Sequence, residues 1–132
     1  TSHAALLRAG SEVTGESLDY SAIIGGAAAG DTGVEHGVIL IELAEAMLDT
    51  DDARLETARL AVAERMGAAA LVDSVAVAAL FNGIDRIADA TGAPLEQTKA
   101  DATGELRSEI GINAFGDQKE ALEAAEGKSA AE

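Results

Sequence analysis

The stretch AAALVDSVAVAALFNGIDRIADAT, residues 68 to 91, constrains this chain more than any other. Between Asp73 and Asp85 it carries no charge, and only Ser74 and Asn82 bring strong hydrogen-bonding groups. Val75, Val77, Leu80, Phe81, Ile84 and the alanines among them cover every direction of a helical wheel. A helix that is apolar all round is a buried one. At 1.5 Å per residue it forms a rod of roughly 36 Å, about the width of a small domain. Charge interrupts it too often for a membrane span, which needs about 20 consecutive apolar residues. The expectation is an all-α protein, a compact orthogonal helical bundle whose other helices wrap a long central helix at about 68–91.

The chain of 132 residues suffices for one domain. We expect a single helical domain over 1–116 and an acidic Ala/Glu-rich tail over 117–132. Aromatic residues make up 2% of the composition, so Ala, Val, Leu and Ile must fill the core. Such small side chains bury little area each, and burial in an oligomer adds to it. A net charge of −15 argues against nucleic acid, whose phosphates would be repelled. Anionic membrane surfaces are disfavoured for the same reason. The first residues lack a basic region followed by an apolar run, so the expected compartment is the cytoplasm. With no Cys there is no disulfide, no thiolate metal site and no thiol nucleophile.

Along the chain, TSHAALLRA reads as a short helix that Gly10 ends, followed by a loop to Gly15. Residues 18–29 read as a helix weakened by Gly25 and Gly26. The run GGAAAG lacks the Gly-Lys-Ser/Thr and the strand of a phosphate loop. Thr32 followed by Glu35 is a capping-box pattern that starts a helix reaching about Leu48. Asp49 to Asp52 read as a helix cap rather than a calcium loop, because the spaced ligand set is missing. Residues 53–66 form an amphipathic helix, with Leu55, Ala58, Val62 and Met66 on one face and Gly67 at its end. Gly92 and Pro94 stop the central helix, and residues 95–110 carry a thinner apolar stripe.

On the central helix Asn82, Arg86 and Asp89 share one face, with Asp85 beside them. The two readings are an exposed polar helix end and a buried cluster that fixes register, which would have to be internally hydrogen-bonded. ALFNGIDRIADATGAPLE resembles the C-terminal signature of the alkylhydroperoxidase D and carboxymuconolactone decarboxylase-like superfamily. The matching residues are Phe81, Asn82, Arg86, Ala88, Asp89 and Gly92, and Asp85 stands where a second Asn is usual. The resemblance covers residues 38 to 116. It implies an alkylhydroperoxidase-D-like fold, an antioxidant (peroxide-reducing) lineage and a homo-oligomer, a trimer or hexamer.

Redox-active members of that family carry Cys-x-x-Cys, then a His and an Ala/Leu-rich run ending in Gly. His3 and the run to Gly10 look like that last part, which makes His3 the candidate catalytic residue and implies that the chain begins just after the cysteines. A histidine shuttles protons near neutral pH but cannot replace sulfur in a redox step. The chain as given is therefore not expected to be a thiol peroxidase. It is either a piece of a redox enzyme or a natural relative without that chemistry. The alternatives are a non-redox oligomeric helical scaffold and a small-ligand-binding protein with a pocket at Met47, Phe81 and Ile84. His36 reads as a lone surface histidine. No cofactor and no metal is expected.

Overall fold

The computed structural model describes residues 2–114 and 116 of the chain. Among them every regular element is helical: seven α-helices and one turn of 3-10 helix. The expected tail over 117–132 lies outside the described residues. The chain divides into two compact units, Glu16–Leu95 and the pair of segments Thr1–Gly15 and Glu96–Glu132.

The larger unit holds α2 (Ala22–Gly25), the 3-10 turn (Gly26–Ala29), α3 (Gly37–Ala46), α4 (Asp52–Met66) and α5 (Ala68–Ala90). Its core is a small cluster of Leu43, Ala46, Ala58 and Val62, joining α3 to α4. Leu55, Met66, Leu71 and Val75 close around it, so α5 contributes only its first half. Asp51 caps α4 by accepting from the Ala53 and Arg54 N–H groups at 2.9 and 3.1 Å, the role its place in the acidic run suggested. Gly67, at φ +91, separates α4 from α5. Gly92, at φ +64, ends α5: its N–H reaches Asp89 O, and Ala93 N–H reaches Ala88 O. That pair of bonds satisfies carbonyls the helix would otherwise orphan.

Four expected boundaries differ. α1 (Ser2–Thr14) runs through Gly10 and stops at Gly15, at φ +75, whose N–H donates to Ser11 O at 2.8 Å. The helix expected over 18–29 is reduced to two single turns, because Gly26 takes φ +58 and ψ −151 and breaks it. The capping box does not form. Thr32 is buried and its Oγ1 accepts from Val34 N–H, a local turn that competes with helix initiation. α3 starts instead after His36, which adopts a left-handed backbone at φ +60. Residues 95–110 form two helices, α6 (Gln97–Ala102) and α7 (Gly104–Glu109), split at Thr103.

The second unit contains α1, α6 and α7, with Ala4, Ser11, Thr103, Leu106 and Ile110 buried. Arg8 Nη1 meets Glu109 Oε2 at 3.0 Å and ties α1 to α7.

The placing of α5 is the main correction. It is the longest helix among the described residues, with 23 residues, yet none of them is buried within the chain. The core sits between α3 and α4, and α5 lies against one side of it.

Candidate functional site

A helix apolar on all sides that covers the core with one side leaves the other to water. Leu71 and Val75 face the Leu43–Val62 cluster. On the opposite side of the wheel Val77 is 55% exposed, Leu80 61%, Ile84 44% and Ile87 66%. α5 is also the one helix among the described residues long and apolar enough to cross a membrane by length and composition. Asp73 and Asp85 interrupt that run, and its core-facing side is already packed.

The polar stripe at the far end of α5 takes the exposed form. Arg86 Nε donates to Asn82 Oδ1 at 2.8 Å, an ordinary i, i+4 pair. Asn82 is half-buried, while Asp85, Arg86 and Asp89 are exposed. Asn82 and Asp85 also line an open groove of about 420 Å³, with Met47 and Leu48 opposite Ala78 and Phe81. Of the three residues expected around a ligand, Met47 and Phe81 are there and Ile84 is not among the lining side chains.

His3 stands exposed in the first turn of α1. Two grooves of its unit, one lined by Arg8, Glu12 and Glu105 and one by Leu6, Thr98 and Lys99, do not include it. His36 lies 3.6 Å from Glu35, whose side chain is 92% exposed. Among the described residues no group of three His, Cys, Asp or Glu side chains is placed to hold a metal.

The strongest electrostatic feature is one the sequence pattern did not single out. Arg54 binds Glu42 with two parallel bonds of 2.7 and 3.0 Å, Glu45 at 2.8 Å and Asp49 at 2.9 Å. Hydrogen bonding to Arg54 holds the Glu42 and Asp49 carboxyls below their ordinary range, and the Thr50 N–H adds to the effect at Asp49. The same carboxylates raise the already high value of Arg54. Glu45 also accepts from Ala27 N–H at 3.1 Å, which fastens the 3-10 turn to α3. This is an architectural clamp: the guanidinium meets three carboxylates of α3 and the turn after it. Its signal in the sequence was the spacing of Glu42, Glu45 and Asp49 on one helix and turn before a cap, which only the hairpin of α3 and α4 brings to Arg54.

The open side of α5 is thus the feature of the described chain with most surface left to explain. No protein family, curated protein or solved structure matches the chain.

Proposed function

We propose that this chain is a non-redox helical protein that works as a homo-oligomer, a scaffold whose α5 is covered by further copies. The observation that carries the reading is that α5 keeps large apolar side chains in water along the side turned away from its own core. Exposed contiguous apolar surface on a soluble chain marks an interaction site. Two large side chains among the described residues, Leu43 and Val62, are fully buried, so the core within one copy is small. Each half-exposed Val, Leu or Ile that a neighbour covers contributes on the order of 1 kcal/mol. In this reading the alkylhydroperoxidase-D-like bundle around a central rod is completed by assembly, trimeric or hexameric, in the cytoplasm.

The antioxidant lineage rests on the Phe81–Gly92 signature. Lineage does not carry activity, because the sequence holds no sulfur nucleophile. The test joins light scattering to a turnover assay with an organic hydroperoxide and a dithiol reductant. The expected result is a defined oligomer with no turnover above the uncatalysed rate. A monomer at all concentrations defeats the scaffold reading, and turnover defeats the non-redox one.

A further inference from the structure

The exposed side of α5 has a repeat of its own. Val77, Leu80, Ile84, Ile87 and Thr91 recur at intervals of three and four, and Asp73 continues the series backwards. That is the spacing of a coiled-coil seam over two heptads. The flanking positions, Ser74, Ala76, Phe81, Gly83 and Ala88, carry no charge. The seam is also symmetric about Asn82. An antiparallel partner centred there sets Leu80 against Ile84, Val77 against Ile87 and Asp73 against Thr91. A parallel partner would set Asp73 against Asp73, two like charges in an apolar seam.

Gly83 is a second, separate observation. It sits mid-helix, where glycine is destabilising relative to alanine. Among the described residues nothing lies within 4 Å of where its Cβ would be, so no contact among them demands it. Glycine beside the midpoint of a helix pair lets two backbones approach closely.

We propose that a second copy of this chain closes the seam: two α5 helices pair antiparallel, on a two-fold axis at Asn82. This deepens the scaffold reading and rests on it. A two-fold contact is self-complementary by definition, as the seam is. Such axes exist in a hexamer of dihedral symmetry but not in a simple cyclic trimer. Val77, Leu80, Phe81, Ile84 and Ile87 give on the order of 400 Å² of apolar surface per copy. Two copies, with the small residues between, approach the roughly 1,000 Å² total that a specific association requires. The pair is therefore reversible and concentration-dependent.

The absence of cysteine makes the test clean. Leu80→Cys and Ile84→Cys are prepared separately, then oxidised mildly alone and as an equal mixture. Disulfides need Cα atoms within about 7 Å. The mixture is expected to yield covalent dimer, and each variant alone several-fold less. Leu80→Glu is expected to move association to roughly tenfold higher concentration or beyond, with unchanged helix content by circular dichroism. Cross-linking of either variant with itself at a yield equal to or above that of the mixture overturns the pairing in favour of a parallel one. An oligomer that links in none of the three samples overturns the pairing and leaves the scaffold reading intact. A monomer by sedimentation at every concentration overturns both. Flotation of the wild-type chain with phosphatidylcholine vesicles, lost in Leu80→Glu, would assign the seam to a membrane and overturn the pairing as well.

Discussion

Replacing Gly26 with alanine tests how the 3-10 turn is held to α3. Gly26 has φ +58 and ψ −151, a region that costs a residue with a side chain about 1–3 kcal/mol. A Cβ there would overlap Glu45 Oε1, so the carboxylate must swing away. It then loses its bonds to Ala27 N–H at 3.1 Å and Arg54 Nη2 at 2.8 Å. Losing the Ala27 bond adds about 1 kcal/mol. Against this, alanine restricts the unfolded chain and returns about 0.4–1 kcal/mol. The net expected loss is about 1–3.5 kcal/mol. For a unit of this size that lowers the melting temperature by roughly 5–25 °C. Urea denaturation followed by circular dichroism reads it directly. In a Glu45→Ala background the same substitution should cost less, because only the backbone term remains. A Gly26→Ala protein within about 0.5 kcal/mol of wild type, or one equally destabilised in both backgrounds, would refute the argument.

Leu43→Ala empties the centre of the α3–α4 cluster, where Leu43 is 1% exposed, and should cost about 2–5 kcal/mol in the same urea titration. The Arg54 clamp should make stability fall with acid. Glu42 and Asp49 have depressed values, so their contribution is complete above the ordinary carboxylate range and disappears as pH drops through the depressed values. Arg54→Met should therefore differ most from wild type at neutral pH and low salt, and converge with it as pH falls below the depressed carboxyl values or in about 1 M salt; a gap that is constant across both titrations would show that packing of the arginine stem, not charge, is at stake. Asn82→Ala should change monomer stability by less than about 0.5 kcal/mol, since its bond to Arg86 is an exposed i, i+4 pair. A loss above about 2 kcal/mol would restore the reading of a buried cluster that sets register.

How much of this was legible beforehand varies with the physics involved. The start and end of α4 and the end of α5 were readable because Asp51, Gly67 and Gly92 act through their own backbones and nearest neighbours. Gly10 misled because a glycine in a helix is only disfavoured, and Gly15, bonded to Ser11 O, supplies a better stop five residues on. Thr32 and Glu35 had the right spacing for a cap, but the Thr32 hydroxyl is taken by Val34 N–H, and no spacing rule sees that competition. The Arg54 clamp depends on two helices folding back on each other, which local sequence does not encode. At α5 the apolar content was read correctly and its consequence was not. Apolar residues all round a helix state that both sides need covering, without stating that one chain supplies both covers. The heptad of Val77, Leu80, Ile84 and Ile87 was present in the sequence, hidden by the alanines and valines on the other side.

Closure of the outer side of α5 by another copy is what makes this chain a scaffold. Hydrogen–deuterium exchange of the wild-type chain, run at a low and a high protein concentration, addresses this most directly. Amides from Val77 to Ile87 should become markedly slower at the higher concentration while those of α4 keep their rates. Identical exchange along α5 at both concentrations, in a sample that sedimentation shows to be monomeric throughout, would contradict it.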